Sequence, residues 1–333
     1  GIPELKMAIQ SKFAKENGID YDLKEIIVGS GGKQVIYNLF MASLNDGDEV
    51  IIPAPYWVSY PDMVLLAGGK PVIINCSIED KFKITSTKLR SAITPKTKWI
   101  VINSPSNPTG MVYTKNELED IAEVMRENPS LYALVDDMYE HIIFDNMEFN
   151  TLAQVAPDLK GRIFIANGVS KAYSMTGWRI GYGAGPSNLV KAMGIIQSQS
   201  TSNPCSISQY AALEALTGDQ IFVKKSIIQF QQKRDLVFGM LKQIDGLDTL
   251  LPNGAFYFFP SCKAFFGKKT PRQHKLIDDS SDFAAYLLDE AEVAVVPGSA
   301  FGAEGFFRIS YATSKEILES ACRRIAIACS KLL

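Results

Sequence analysis

Continuous apolar runs alternate with amphipathic segments through the middle of the chain. Five of these runs are apolar on both faces, as is typical of buried strands: residues 49–53, 99–102, 132–135, 162–166 and 180–184. Helical periodicity lies between several of them, at residues 33–44 and 114–127, and the second segment opens with Thr114 and Glu117 in capping-box spacing. Buried strands joined through helices indicate a mainly parallel sheet with helices on both faces. We therefore predict an α/β fold here.

The pattern changes after this region. Residues 219–244 have the periodicity of one long helix. Short strand-like segments come after it: residues 255–259, 293–296 and 306–310. We expect a closing helix that begins with a capping box formed by Thr313 and Glu316. The predicted architecture is a large domain over residues 1–232 and a smaller α+β C-terminal domain over residues 233–333, entered through the long helix.

Composition and charge narrow the class of protein. Of the 333 residues, 47% are hydrophobic and 21% are charged, and the formal net charge is −2. Disorder and a general attraction to nucleic acid or anionic lipid are therefore not expected. No apolar run approaches the roughly 18 residues of a membrane span, and no signal-peptide pattern precedes the helix predicted from Pro3 to Lys15. We expect a cytoplasmic protein with no nucleic-acid or membrane partner.

Cysteine, histidine and lysine usage adds three expectations. The five cysteines are scattered, and the histidines are His141 and His274. This pattern predicts neither a disulfide framework nor a metal site. In the basic segment at residues 263–279, no Phe, Trp or Tyr is interleaved among Lys268, Lys269, Arg272 and Lys275, so we interpret the segment as a surface insertion and not as a nucleic-acid site.

The segment from Asn167 to Tyr182 carries the strongest chemical signal. Lys171 follows a buried strand, and Arg179 lies eight residues later, after Gly177. A lysine at a buried strand end loses solvation, so its pKa falls and its neutral amine can form a Schiff base. A nearby arginine offers a planar fork for a phosphate. Taken alone, a lysine is more often a surface residue, and the complete segment is what favours the chemical role.

Two more motifs follow predicted strands, where ligands bind in parallel α/β sheets. The run Asn103-Ser-Pro-Ser-Asn-Pro-Thr-Gly fixes the Asn107 amide between prolines, although the same residue pairs are common in ordinary turns. Asp136 and Tyr139 follow the run at residues 132–135. The carboxylate can pair with a cationic ring nitrogen, and the tyrosine can reach a phenolic oxygen. Taken alone, the adjacent acids Asp136 and Asp137 more often indicate a metal site or a solvated strand end.

Three weaker signals complete the set. The glycine-rich turn at residues 28–34 opens a predicted helix, whose first N–H groups form an anion site, but it matches neither GxGxxG nor a Walker A motif. Trp57 offers an indole for stacking on a flat ring, although a lone tryptophan is more often in a core. Arg308 lies inside an apolar strand and needs an anionic partner, for which a ligand carboxylate is one candidate.

In order and spacing, these motifs resemble those of the fold-type I aminotransferases. The matching residues are Asn107 to Gly110, Asp136 with Tyr139, Ser170 and Lys171 with Gly177 and Arg179, and Arg308. The resemblance covers essentially the whole chain, and the segments GIPELK, GGKQ and YWVSY are similar to those of the bacterial aspartate aminotransferase subgroup. It implies a homodimer with active sites at the subunit interface, and pyridoxal 5′-phosphate as the cofactor. The family pattern also includes a further stretch before GIPELK.

The resemblance implies a role for each residue around the cofactor ring. Lys171 holds the cofactor covalently, and Asp136 pairs with the pyridine nitrogen so that the ring acts as an electron sink. Asn107 and Tyr139 hydrogen-bond the ring's phenolic oxygen. Trp57 stacks on the face of the ring.

The phosphate end is implied in the same way. Gly31 and Gly32 bind the phosphate through backbone N–H groups, and Arg179 binds it through its guanidinium fork. Ser170 adds a hydroxyl. Family members often carry a serine three residues before the lysine, where this chain has Gly168.

Substrate recognition follows from the remaining matches. Arg308 clamps the α-carboxylate, beside Trp57 and Asn107, and the amine of Lys171 moves a proton between the substrate Cα and the cofactor. Lys33, in the GGKQ element, contacts the distal carboxylate of an acidic substrate; the alternative is a solvated lysine in a first helical turn, where the helix dipole disfavours a cation. The preferred donors are L-aspartate and L-glutamate, with 2-oxoglutarate or oxaloacetate as acceptor in a ping-pong reaction.

Two other functions stay open on the sequence alone. One is an aminotransferase for aromatic or neutral amino acids or for prephenate. The other is a non-catalytic module that binds pyridoxal phosphate as a regulator; such regulators usually carry a basic DNA-binding extension, and no such segment is visible in the sequence.

Overall fold

The computed structural model describes residues 1–272 and 274–333. Its strands are β1 (Ile26–Gly29), β2 (Glu49–Ala54), β3 (Lys70–Asn75), β4 (Thr97–Asn103), β5 (Tyr132–Asp136), β6 (Ile163–Gly168), β7 (Gly181–Ala184), β8 (Tyr257–Phe258), β9 (Val296–Pro297) and β10 (Phe307–Ser310). Its α-helices are α1 (Pro3–Asn17), α2 (Gly32–Ser43), α3 (Ser59–Leu66), α4 (Ser86–Ala92), α5 (Lys115–Glu127), α6 (Leu152–Val155), α7 (Ser187–Ser200), α8 (Ser206–Thr217), α9 (Ile221–Leu241), α10 (Ser280–Ala291) and α11 (Lys315–Ser330).

Seven strands form one sheet in the order β1-β7-β6-β5-β4-β2-β3. Strands β2 to β6 pair in parallel with their neighbours, whereas β7 runs antiparallel to both β1 and β6. The mainly parallel sheet is therefore confirmed. Its register pairs Asn103 with Asp136, and Asp136 with Ala166, so the carboxyl ends of β4, β5 and β6 meet at one edge.

The continuous apolar runs have a simple cause, because the sheet is buried on both faces. Along β4, Ile100 and Ile102 pack in a core with residues of α1 and α5. Trp99 and Val101 point to the opposite face, into a core shared with α2, α3 and α7. Side chains alternate between the faces of a strand, so a strand covered by helices on both sides must be apolar throughout.

The C-terminal part of the chain has its own sheet and core. Strands β8, β10 and β9 form an antiparallel sheet in that order. Phe258 and Phe307 from this sheet pack with Phe283 of α10 and Ile325 of α11, in a core that also includes residues of α9. This is the expected smaller α+β unit. The boundary between residues 232 and 233 falls inside α9 and stays a prediction.

Two predicted helix starts have different outcomes. Thr114 and Glu117 form the expected capping box at the start of α5. The capping box of Thr313 and Glu316 is wrong, because Ser314 caps α11 and its side chain accepts from the Ile317 N–H at 3.3 Å. Neighbouring hydroxyl residues compete for the cap, and the packing of the helix decides between them.

The interpretation of residues 263–279 as a surface insertion is wrong at both ends of that segment. Phe265 is 3% exposed and Ile277 is 1% exposed. The Phe265 ring stacks on that of Phe283, with 5.1 Å between the centroids. Gln273 lies outside the described residues. Among the residues that the structure describes, no helix combines the length and the apolar character that crossing a membrane requires.

Candidate active site

A cavity of about 310 Å³ lies at the carboxyl ends of β4, β5 and β6 and also receives residues from β8 and β10. Nearly all of the predicted site residues line it, with the exception of Gly31: Gly32, Lys33, Trp57, Asn107, Asp136, Tyr139, Ser170, Lys171, Arg179 and Arg308. Residues separated by almost 300 positions in the sequence thus share one cavity. The site combines the sheet edge of the large unit with the antiparallel sheet of the small one.

Lys171 lies three residues beyond the end of β6 and is half-buried. Burial lowers the pKa of its ammonium, and the positive charges of Arg308 and Arg179 lower it further, while Asp136 acts in the opposite direction. The Nζ atom lies 5.8 Å from the ring centroids of both Tyr139 and Phe256. This environment favours the neutral, nucleophilic amine that covalent attachment to an aldehyde requires.

Asp136, the last residue of β5, has a buried carboxylate held by two uncharged donors. The Tyr60 hydroxyl donates to Oδ2 at 2.5 Å, and the Met138 N–H donates to Oδ1 at 3.2 Å. Burial raises the pKa of this carboxyl, against the effects of both hydrogen bonds and of the Lys171 charge. A cationic ring nitrogen in the cavity would provide the opposite charge that favours the ionised form.

Arg308 projects from β10 toward the large unit and makes one side-chain hydrogen bond there. Its Nη1 donates to Asn107 Oδ1 at 2.8 Å. Its Nε is buried and has no hydrogen-bond partner among the described residues. A buried N–H without an acceptor costs about 1–3 kcal/mol. A ligand carboxylate fits this position, since it accepts from a guanidinium in a bidentate pair.

The glycine-rich turn leaves room for Arg179 at the start of α2. Gly31 has φ +89°, and a Cβ on it would lie 2.2 Å from Arg179 Nη2. The Gly31 N–H donates to the Gly29 carbonyl at 2.8 Å, which differs from the predicted phosphate contact through that amide. The helix begins at Gly32, and the first N–H groups of a helix have no partner inside it. A phosphate fits between those amides and the guanidinium.

Gly168 and Ser170, just before Lys171, show where a hydroxyl can and cannot be placed near the site. A Cβ on Gly168 would approach the Ile180 carbonyl oxygen to 3.0 Å, so a serine there would be crowded. Ser170 is buried and lines the cavity, as does Thr176, whose carbonyl accepts from Arg179 Nη1 at 2.8 Å. Hydroxyl groups therefore remain available near Arg179 without a serine at position 168.

Lys33 and Trp57 form the solvent-exposed edge of the cavity. Lys33 is exposed in the first turn of α2, and its Nζ lies 5.0 Å from the Trp57 ring centroid. Trp57 is half-buried. The positive charge of Lys33 is therefore held over an aromatic face at the side of the cavity that a substrate reaches from solvent.

Sequence reasoning missed three residues that hold the site together. Tyr60 binds Asp136, and Asn103 accepts from the Asn107 N–H at 2.8 Å while its own amide donates to the Asp136 carbonyl at 2.9 Å. Both belong to motifs that were singled out, YWVSY and the run that starts at Asn103. Tyr257, whose hydroxyl lies 2.8 Å from that of Tyr139, sits in a predicted strand with no local signal of function.

Comparison with known proteins agrees with this geometry. The family model for aminotransferase class I and II matches residues 1–325. A Rickettsia bellii protein named "Probable aspartate/prephenate aminotransferase" is 64% identical over 332 residues, which cover 100% of this chain and 83% of that protein.

Solved structures of aminotransferases are similar to this chain in fold and in sequence. The aspartate aminotransferase of Rhizobium meliloti is 54% identical with a TM-score of 0.97, and the alignment covers 100% of this chain and 83% of that one. The aromatic aminotransferase of Pyrococcus horikoshii is 40% identical with a TM-score of 0.90, covering 98% and 85%. The chain therefore belongs to the class I and II aminotransferase family and is a transaminase that depends on pyridoxal 5′-phosphate.

Proposed function

We propose that this transaminase moves the amino group of L-aspartate or L-glutamate to a 2-oxo acid such as 2-oxoglutarate. The observation that carries the proposal is that two cations, Arg308 and Lys33, line the same cavity as the Lys171 amine. An acidic amino acid brings two carboxylates, one for each cation. The names of the Rickettsia bellii and Rhizobium meliloti relatives support the same donor.

We infer that four residues hold the cofactor ring. Lys171 would attach covalently to its aldehyde carbon, and Asp136 would accept a hydrogen bond from its protonated ring nitrogen. Tyr139 and Asn107 hydrogen-bond its phenolic oxygen. When bound, the cofactor supplies an electron-withdrawing ring that stabilises the charge left on the substrate carbon after proton loss.

The Nζ of Lys171 also carries the proton in this proposal. In the holoenzyme, the Nζ of Lys171 would take the proton from the substrate Cα and give it up again within the same turnover. Burial and the Arg308 and Arg179 charges lower the pKa of this amine, which favours the neutral form that acts as a base. Arg308 would hold the α-carboxylate and so restrict the orientation of the substrate relative to that amine.

The phosphate is held at the opposite end of the site. The Gly32 amide at the start of α2, the Arg179 guanidinium and the Ser170 hydroxyl form its binding groups. The absence of a side chain at Gly31 allows the Arg179 guanidinium to lie against the turn, since a Cβ there would overlap Nη2. Attachment at two points, the phosphate and Lys171, would fix the orientation of the ring.

A second candidate is transamination of aromatic donors or of prephenate. The Pyrococcus horikoshii relative is named an aromatic aminotransferase and the Rickettsia bellii relative carries prephenate in its name. Trp57 and Tyr257 line the cavity and give an aromatic side chain a surface to pack against. The two candidates differ in their dependence on Lys33, which contributes nothing specific to an uncharged donor.

We also propose a homodimer, acting in the cytoplasm, whose active sites are shared between subunits. Trp178, beside Arg179, is 46% exposed, and Leu66, 69% exposed, lines an open depression with Lys33 and Arg179. Exposed apolar surface next to a site suits a second copy of the chain. The five cysteines are free, which suits a reducing compartment. Light scattering coupled to size-exclusion chromatography tests the dimer, since a monomer at micromolar concentration would refute it.

Half-transamination tests the proposed function directly. L-Aspartate is added to the holoprotein without any 2-oxo acid. We expect a change in the visible absorption band and one equivalent of oxaloacetate per cofactor. A yellow band that does not change with aspartate, glutamate or phenylalanine would favour the non-catalytic alternative.

A further inference from the structure

Tyr257 touches two residues on which the proposed function depends. It lies in β8 of the small sheet and is 6% exposed. Its hydroxyl is 2.8 Å from the hydroxyl of Tyr139, which follows β5 of the large sheet. Its ring centroid is 4.6 Å from Arg308 Cζ. One side chain thus contacts both the phenol that faces the cofactor and the arginine that faces the substrate.

Binding of the cofactor would fix which of the two hydroxyls donates the hydrogen bond. Each phenol has a single proton, and either hydroxyl of the pair can be the donor. Under the proposed function Tyr139 donates to the phenolic oxygen of the cofactor, so Tyr257 must donate to Tyr139. A donor whose own oxygen accepts a hydrogen bond is strengthened by it.

The ring of Tyr257 acts on Arg308 in a different way. The guanidinium carbon lies 4.6 Å from the Tyr257 centroid and 5.0 Å from that of Phe301. Asn107 Oδ1 accepts from Nη1, and Nε has no partner among the described residues. Two aromatic rings and one hydrogen bond therefore fix the guanidinium, whose Nε has no acceptor among the described residues.

We propose that Tyr257 is a positioning residue that serves cofactor and substrate through separate parts of its side chain. The hydroxyl donates to Tyr139 and strengthens the hydrogen bond of Tyr139 to the cofactor, and the ring holds the guanidinium of Arg308. This inference rests on the proposed roles of Tyr139 and Arg308. It assigns a function to a residue that itself neither attaches to the cofactor nor exchanges a proton with the substrate.

Tyr257→Phe tests the hydroxyl and keeps the ring. A hydrogen bond to the deprotonated phenolic oxygen of the cofactor lowers the pH at which the visible band of the holoenzyme changes. Weakening that bond therefore raises the midpoint, and we expect a rise of about half a pH unit, a roughly threefold change in proton affinity. The KM for aspartate is expected to stay within about twofold of the unsubstituted enzyme. An unchanged midpoint would overturn the hydroxyl's role.

Tyr257→Leu removes the ring as well. Relative to Tyr257→Phe, we expect the KM for aspartate to rise about tenfold, because Arg308 loses one aromatic face. Equal KM values in the two variants would overturn the role of the ring. If the leucine variant does not fold, Tyr257→Met, whose longer unbranched side chain adapts to the space left by the ring, repeats this comparison.

Tyr286→Phe is the matched control. Tyr286 is also a buried tyrosine of the small unit, and its hydroxyl donates to the Ala328 carbonyl at 2.8 Å, away from the cavity. It is expected to leave the midpoint unchanged. A shift equal to that of Tyr257→Phe would show a general effect of losing a buried hydroxyl and overturn the proposal. If the unsubstituted holoenzyme itself lacks a titrating visible band, the proposed function fails, and that result is distinct from a Tyr257 variant that leaves an existing midpoint in place.

Discussion

The two sides of the cavity differ in how many of their polar groups already have hydrogen-bond partners within the protein. We define the floor as Asp136, Tyr60 and Asn103. Both carboxylate oxygens of Asp136 accept hydrogen bonds. The side chain of Asn103 donates to the backbone carbonyl of Asp136 and accepts from the Asn107 N–H. These groups are in position before any ligand arrives. The floor is preorganised for a partner of fixed shape.

The substrate side, which we define as Arg308 and Lys33, is left incomplete. Arg308 Nε has no partner among the described residues, and Lys33 is exposed over the Trp57 ring. Cationic side chains whose N–H groups lack partners can bind the carboxylates of many amino acid donors. Under the proposed function, this difference would place cofactor binding in the sheet edge and leave the choice of donor to a few side chains around it.

The largest effect is expected at Lys171, which lines the cavity together with residues of both sides. Lys171→Ala removes the covalent attachment and the proton carrier together, so kcat for aspartate transamination should fall by about 10⁴-fold. Stopped-flow absorbance of the half-reaction measures this loss. Lys191→Ala, at an exposed position of α7, is the control and should retain full activity. Activity of the Lys171 variant within tenfold of the unsubstituted enzyme would break the comparison.

Arg308 should act on every amino acid donor equally. Arg308→Gln leaves the α-carboxylate without its charged partner, and we expect kcat/KM to fall about 100-fold for aspartate and for phenylalanine alike. Steady-state kinetics with both donors checks this. Arg126→Gln, in an exposed pair with Asp158, serves as a control. A loss confined to aspartate would mean that Arg308 reads the side chain of the donor.

Lys33 should separate the donors. Lys33→Ala is expected to lower kcat/KM for aspartate about fivefold and to leave phenylalanine unchanged, since an exposed charge pair contributes about 1 kcal/mol or less. The ratio of the two kcat/KM values is the measurement, with the exposed Lys225→Ala as control. Equal losses for both donors would refute the proposed preference for acidic substrates.

The smallest effect concerns the charge around Lys171 in the apoprotein. The positive charge of Arg308 lowers the pKa of Lys171 and the negative charge of Asp136 raises it. Arg308→Gln should therefore move the pH midpoint of Lys171 acylation upward, and Asp136→Asn should move it downward. Mass spectrometry of the labelled peptide at several pH values measures both. Shifts in the same direction would contradict this assignment of charges.

The sequence predicted the strands that are buried on both faces, because a continuous apolar run leaves few alternatives. It missed β1, which has four residues, and β3, an edge strand with half of its side chains exposed. The apolar residues of β1 run directly into the glycine-rich turn at residues 28–34, and β3 lacks the continuous apolar pattern of a buried strand. The predicted helix start at Thr313 failed by one residue, because Ser314 offers the same cap chemistry.

The site was predictable where its residues lie in short motifs directly after strands. Asp136 and Tyr139 come together in this way. The contacts of Tyr60 with Asp136 and of Tyr257 with Tyr139 join residues 76 and 118 positions apart. They depend on how the two sheets and the helices pack, which no local pattern encodes.

Reduction of the holoprotein with sodium borohydride tests the central claim most directly, that the Lys171 Nζ holds the cofactor. The treatment converts a covalent link between a lysine and an aldehyde into a stable bond, so peptide mapping by mass spectrometry locates it. The account predicts one cofactor mass per chain, on the peptide that contains Lys171. A label on any other lysine, or no label, would contradict it.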